Sequence, residues 1–277
     1  MYSMTEESNF DRQSPIGIFD SGLGGLTVLK EIHKLLPEEN LIYFGDSGRA
    51  PYGTKSKETV IRYTHQDINF LISHNVKMIV IACNTASACC FPEIEQDFGV
   101  PIVEVIGPGA NAAAKATSSG NVAVIGTPMT ISSEVYKAAL LKIAPKIQYF
   151  GKACPLFVPL VEEGWWNNHI AKAVAEEYLK PISESGADTL VLGCTHYPLL
   201  SDTIRSVLGS VNLINSASVV ADAVRDKLTQ LNLLKNSKSH GTIEYYTSDN
   251  AEKFAGLGSI FLGEKLKNVN KIEIEKY

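Results

Sequence analysis

The sequence is most informative at first for what it lacks. Its 277 residues carry a formal net charge of −5 and contain no dense stripe of Lys and Arg. Neutralising nucleic-acid phosphates takes clustered positive charge, so nucleic acid is not an expected partner. No apolar run approaches the length of a membrane span, and the one from Met78 to Ala82 is cut short by Asn84 and Thr85. The leader, Met1 to Ser14, is polar and acidic and lacks the basic stretch and apolar core of a signal peptide. A cytosolic chain with no membrane partner is therefore expected. Its five cysteines (Cys83, Cys89, Cys90, Cys154 and Cys194) are odd in number and have no framework spacing. In a reducing compartment they should be free thiols. Neither C-x-x-C nor H-E-x-x-H occurs, and Cys194-x-His196 alone is too small a ligand set, so no metal site is expected.

What is present is ordinary globular composition, 45% hydrophobic and 20% charged, long enough for well-buried cores. Apolar segments alternate with helical patterns from Ile16 onward. The expected strands are Ile16–Ser21, Leu41–Phe44, Met78–Ala82, Ile102–Val105, Val122–Ile125, Ile147–Phe150, Leu190–Leu192, Ile243–Thr247 and Ile272–Ile274. Helices are expected over Gly24–Leu36, Ser56–Asn75, Ile131–Ile143, His169–Ser185 and Ser216–Leu234. Gly107-Pro108-Gly109 reads as a sharp break and a domain crossing. This alternation predicts an α/β fold with mostly parallel sheets and helices on both faces. Ligands of such sheets sit beyond the carboxyl ends of the strands, where Asp20, Asp46, Cys83, Thr127 and Cys194 all fall.

Two segments repeat one another. Ile81-Ala82-Cys83-Asn84-Thr85 and Leu192-Gly193-Cys194-Thr195-His196 each end an apolar run in a cysteine and two hydrogen-bonding residues, about 110 residues apart. The strands ending at Ser21 and at Thr127 are separated by a similar offset, roughly 107 residues. A duplicated α/β unit facing its copy across a cleft explains both. A strand that delivers a cysteine to a helix N-terminus would favour thiolate. Two such sulfurs on either side of one site suit lifting a proton from one face of a carbon and returning one to the other, the chemistry of a racemase. Each sulfur then needs a neighbour to trade protons. Asp20 can serve Cys83, and His196 can serve Cys194.

Other segments offer ligand contacts. Asp20-Ser21-Gly22-Leu23-Gly24-Gly25 opens a helix, but Thr27 replaces the third glycine of a dinucleotide loop, so it suits a small carboxylate better than a nucleotide. Tyr52 and Gly53, in a turn-rich loop, could present a hydroxyl and backbone donors to a carboxylate; plain turn chemistry explains them equally well. Asn84, Thr85 and Thr195 stand beside the sulfurs at expected helix N-termini. Cys89, Cys90 and Cys154 read as small buried hydrophobes.

Asp20-Ser21-Gly22-Leu23-Gly24-Gly25, Pro51-Tyr52-Gly53, Ala82-Cys83-Asn84-Thr85-Ala86, the run Cys154 to Gly164 and Gly193-Cys194-Thr195-His196-Tyr197-Pro198 together resemble the bacterial glutamate racemases. The resemblance spans residues 16 to about 200 in the family's order. It implies two similar α/β domains related by a pseudo-twofold, with the active site between them: 15–107 with 217–277, and 108–216. It also implies a cofactor-independent, two-base interconversion of L- and D-glutamate, supplying D-glutamate for peptidoglycan. Cys83 would act on D-glutamate with Asp20; Cys194 would act on L-glutamate with His196 and Glu162. Asp20, Ser21, Tyr52, Gly53, Asn84, Thr85, Thr127, Thr195 and His196 would hold this small-molecule substrate. Glu162 enters only through the resemblance. A homodimer is left open. The alternatives are an aspartate or related amino-acid racemase, and a non-catalytic dicarboxylate-binding protein of two domains; the binding protein gives no reason for matched thiols.

Overall fold

The computed structural model of the chain describes residues 10–91, 93–237 and 239–277, so residues 1–9 of the polar leader lie outside the described residues. The chain runs β1 (Ile16–Asp20), α1 (Leu26–Leu35), β2 (Leu41–Gly45), α2 (Lys57–Ser73), β3 (Met78–Ile81), α3 (Asn84–Cys90), β4 (Ile102–Glu104) and α4 (Ile106–Ala116). It continues through β5 (Asn121–Gly126), α5 (Pro128–Ser132), α6 (Val135–Ile143), β6 (Gln148–Ala153), α7 (Phe157–Glu162), α8 (His169–Glu184), β7 (Thr189–Gly193), α9 (Ser201–Leu208) and β8 (Asn212–Asn215). It ends with α10 (Ser216–Gln230), β9 (Ile243–Thr247), α11 (Ala251–Leu262) and β10 (Val269–Lys271).

These strands form two sheets, ordered β10-β9-β2-β1-β3-β4 and β6-β5-β7-β8. Every pairing is parallel. The central strands β1, β3 and β7 are buried along their whole length, which is why they read as unbroken apolar runs. The order β2-β1-β3-β4 recurs as β6-β5-β7-β8, so the repeat visible in sequence is a repeat of topology. After β8 the chain returns to the first sheet and adds β9 and β10 beyond β2. In each sheet the strand order reverses between the first and third strands of the unit. A crevice opens there beyond the strand ends. Asp20 and Cys83 flank it on one sheet, Thr127 and Cys194 on the other.

Several expectations need correction. Gly107-Pro108-Gly109 does not break the chain; it lies in the first turns of α4. A proline is tolerated there because its missing N–H had no helical partner to lose. The Glu104 carboxylate accepts from the N–H groups of Ile106 and of Gly107 (2.7 Å) and so secures that helix end. The expected helix 131–143 is two helices, parted at Glu134, whose φ of 54° is left-handed. The last strand lies at Val269–Lys271 rather than 272–274. The pattern also missed α11, whose Gly256 and Gly258 dilute its helical signal.

Candidate active site

Cys83 ends its loop as the N-cap of α3, and its sulfur accepts from the Ala86 N–H at 3.5 Å. The thiol lies 3.6 Å from Ser21 Oγ. Cys194 differs, because no α-helix starts there: a 3₁₀ turn over Tyr197–Leu200 comes first and α9 only at Ser201. Its polar neighbour is a side chain, His196, with Nδ1 3.9 Å from the sulfur. His196 Nε2 in turn meets Glu162 Oε1 at 3.2 Å. Both sulfurs line one enclosed cavity, together with Ser21, Tyr52, Gly53, Asn84, Thr85, Thr127, Glu162, Thr195 and His196. The expected residues thus converge from the loops after β1, β2, β3, β5 and β7 and from the end of α7.

The two sulfurs have opposite electrostatic surroundings. Burial, and then the Asp20 carboxylate, push the Cys83 thiol well above the ordinary thiol range; the Ala86 N–H and Ser21 only moderate this. The helix terminus therefore does not make Cys83 a thiolate, contrary to the expectation from its position. Burial also raises Asp20, opposed by His196 and by the N–H groups of Gly25 and Gly22. For His196, burial alone would lower the pKa. Its bonds to Cys194 and Glu162 prevail and push it up to about 10. At neutral pH an imidazolium faces Cys194, while the Asp20 side chain stands beside Cys83.

The cleft is closed. Thr85 Oγ1 and Thr127 Oγ1 meet across it at 3.0 Å, and Thr195 Oγ1 donates to Asp20 Oδ1 at 3.4 Å. Backbone approach is equally tight: a Cβ at Gly24 would lie 2.1 Å from Thr195 Oγ1, and one at Gly53 2.6 Å from Thr127 Cβ. Only glycine fits at either place. The cavity between the sulfurs has a volume of about 30 Å³, room for one or two waters. A second cavity of about 180 Å³ adjoins it, sharing Gly22, Ala50, Pro51 and Glu162 and bordered by Asp249, Lys253 and Phe254. It lies between the Gly22 and Pro51 loops and the first turns of α11.

Two features escaped the sequence reading. Tyr136, on α6, donates to Asn84 Oδ1 at 2.7 Å and so turns the amide. Asn84 Nδ2 is buried with no partner among the described residues, an unfilled donor suited to a carboxylate. Phe261, on the missed helix α11, packs edge-on to His196 with ring centres 5.4 Å apart. Neither could be found from motifs, because each acts from a distant element. Tyr52 is the reverse case. Its hydroxyl donates away from the cleft into a cluster with Asp46 and Asp67, so it offers a ligand no hydroxyl.

Comparison with known proteins now decides the family. Residues 16–224 match the model of the Asp/Glu/hydantoin racemase family. The chain belongs to that family. A glutamate racemase of Geobacter metallireducens is 50% identical over 94% of this chain and 97% of its own length. The crystal structure of the Francisella tularensis glutamate racemase in complex with D-glutamate has a TM-score of 0.90 at 36% identity, covering 96% of this chain and all of that one. The glutamate racemase isoform RacE1 of Bacillus anthracis gives a TM-score of 0.91 at 35% identity, over 94% and 98%. The two-sheet α/β architecture is thus that of the glutamate racemases. Among the described residues no helix is long and apolar enough to cross a membrane.

Proposed function

We propose that the chain interconverts L- and D-glutamate by two opposed sulfurs, Cys194 and Cys83. The observation that carries this reading is that equivalent strand ends of a repeated unit bring both cysteines to one closed cavity. The glutamate racemase relatives, 50% identical in one case, support glutamate as the substrate. On this reading 15–107 with 217–277 forms one domain and 108–216 the other.

The Cys194 thiolate, paired with the His196 imidazolium, takes the α-proton of L-glutamate. The Cys83 thiol gives its proton to the opposite face, leaving D-glutamate, a Cys194 thiol and a Cys83 thiolate. After product leaves, the sulfurs reset. The Asp20 carboxyl gives a proton to the Cys83 thiolate and regains one from water, while the Cys194 thiol loses its proton to water, the His196 imidazolium keeping its own. Raised by burial, the Asp20 carboxyl is a better match for exchanging a proton with a thiol than an ordinary carboxylate would be. Asn84, Thr85, Thr127 and Thr195 hold the carboxylates, with Ser21 and the backbone at Tyr52-Gly53 completing the walls. Glu162 orients His196. Closing the cleft over the substrate expels water, which strengthens each charge interaction with the carbanion-like transition state. The chain would work in the cytoplasm, feeding D-glutamate to peptidoglycan synthesis.

Proton NMR in D₂O tests the reading. With no added cofactor, the α-proton signal should vanish from L-glutamate and from D-glutamate alike, with optical rotation falling to zero. Binding of both without exchange would replace it with a dicarboxylate-binding function.

A further inference from the structure

Behind the Tyr52-Gly53 wall lies a polar cluster, fully buried at its two carboxyl groups, that this reaction scheme does not use. Asp46 follows β2 and Asp67 projects from α2; both side chains are fully buried, and Tyr52 is 1% exposed. Arg49 joins them, donating through Nε to Asp46 Oδ2 at 2.6 Å and through Nη2 to Asp67 Oδ1 at 2.9 Å. Its third nitrogen reaches Gln66 Oε1 at 2.5 Å, and its plane lies 4.0 Å from the Tyr63 ring centre. Ser248 Oγ donates to Asp46 Oδ1 at 2.7 Å. The Tyr52 hydroxyl is within hydrogen-bonding distance of Asp46 Oδ2 and, at 2.9 Å, of Asp67 Oδ2.

A proton count follows from these contacts. A phenol has one proton to give, yet Tyr52 faces two carboxyl oxygens. Whichever carboxyl receives the tyrosine proton, the other must bring its own. Asp46 already accepts from Arg49 and Ser248, and it takes the hydroxyl proton as a third donor, as an ionised carboxylate does. Asp67 accepts from Arg49 on one oxygen only, and its other oxygen faces the phenol. Charge gives the same answer: two buried carboxylates against one guanidinium leave an unpaired negative charge, and one added proton removes it.

We propose that Asp67 holds a proton at neutral pH and is a positioning residue for the racemisation, donating to the Tyr52 hydroxyl and thereby fixing the Tyr52-Gly53 wall against Thr127. Its position reinforces this. Burial, then the Asp46 carboxylate, drive the Asp67 carboxyl well above its ordinary range; Arg49 and Tyr52 oppose, and Asp20 at the end of β1 adds a further upward push. The Tyr52 phenol, raised well above its ordinary value first by burial and then by Asp67 and Asp46, stays neutral. Gly53 has no slack to absorb a shift of Tyr52, given its close approach to Thr127. As pH climbs past the point where Asp67 loses its proton, the cluster gains a buried charge and the wall loosens. The result is a rise in KM with little change in kcat.

The kinetic half of this inference rests on the racemase reading; the protonation half does not. Asp67→Asn keeps the geometry of a protonated carboxyl, with NH₂ toward Tyr52 and C=O toward Arg49. It should keep kcat and KM at pH 7 within about twofold and abolish the alkaline rise in KM. Asp67→Ala leaves the Tyr52 oxygen and an Arg49 N–H unpaired and should raise KM about tenfold. Asp46→Asn, which removes the ionised partner, should be the more damaging asparagine variant. Infrared difference spectra at pH 7 should contain a protonated-carboxyl band that Asp67→Asn removes. An Asp67→Asn enzyme as impaired as Asp46→Asn, or a wild-type spectrum without that band, would overturn the proposal. Should either variant fail to fold, the wild-type band and its KM–pH profile still decide. Wild-type protein inactive on glutamate would overturn the reaction reading and the positioning role with it, while the band reports the proton independently.

Discussion

The two halves of the cleft share a topology and differ in where they keep their proton. Cys83 sits at a helix N-terminus yet is held as a thiol, because burial and a neighbouring carboxylate outweigh a helix-terminus effect of roughly 0.3–1 kcal/mol. Cys194 has only a 3₁₀ turn behind it and faces an imidazolium instead. Duplication thus supplies two equivalent positions for sulfur, and the side chains around them break the equivalence. A two-base racemase needs this, since one sulfur must be empty of its proton while the other carries one. On the proposed reaction, a thiol at Cys83 is the partner that can give its proton when L-glutamate is bound.

Removing either sulfur breaks the comparison most completely. Cys83→Ala and Cys194→Ala should each lower racemisation by on the order of 10³-fold or more. The halves then separate in D₂O: Cys83→Ala should still exchange the α-proton of L-glutamate, and Cys194→Ala that of D-glutamate. Either variant exchanging both enantiomers equally would sink the assignment of faces. Enantiomers have equal free energies, so kcat/KM must remain the same in both directions for every variant. The asymmetry can be read only in exchange and in the separate kcat and KM values.

Preventing closure should come next in size. A methyl group at Gly24 would meet Thr195 Oγ1 at 2.1 Å and His196 Nδ1 at 2.6 Å, forcing the Cys194 loop away from Asp20. Gly24→Ala should reduce kcat/KM by about 10²-fold, as misplacement of about 1 Å does. Both cysteines should stay intact and the melting temperature near wild type. A fully active Gly24→Ala would mean that the closed contacts are dispensable.

The imidazolium can be tested through stability. His196 has its pKa raised in the fold, to about 10, above its unfolded value. Its contribution is therefore fully present below about pH 6.5 and is lost as pH rises through 10. Wild-type melting temperature should fall between pH 6.5 and 10 more steeply than that of His196→Asn. In the same variant, iodoacetamide should react with Cys194 more slowly than in wild type, since the imidazolium that faces its sulfur is gone. Parallel melting curves would remove the imidazolium from the account.

Much of this was legible in the sequence because it is local. Strands buried on both faces announce themselves as apolar runs, and β1, β3 and β7 lie within a residue or two of their expected places. The cysteine repeat pointed to the crevice because a strand end and the residue after it are fixed by the same few positions. Failures came where the deciding partner is remote. Gly107-Pro108-Gly109 looks like a break until the Glu104 carboxylate is seen accepting from the first N–H groups of α4. Tyr52 looks like a ligand donor until Asp67, fifteen positions on, is seen to face its hydroxyl. The thiolate expected at Cys83 failed because pattern reports a helix terminus but not the burial that opposes it.

Tyr136 gives the smallest and sharpest test, because it touches one half of the cleft from the other. It lies on α6, in the second unit, and its hydroxyl holds Asn84 of the first. That bond leaves Asn84 Nδ2 as the free donor in the cavity; without it the amide can flip and present its oxygen to a carboxylate instead. Tyr136→Phe removes one buried hydrogen bond, worth about 0.5–1.5 kcal/mol, and keeps the ring that packs beneath Gly109. KM for both enantiomers should rise about threefold to tenfold with kcat nearly unchanged, since ground state and transition state share the same carboxylate contact. An effect on kcat alone would place Asn84 at the reacting carbon rather than at a carboxylate. No effect on either would mean that Asn84 is oriented by the cleft without its partner on α6.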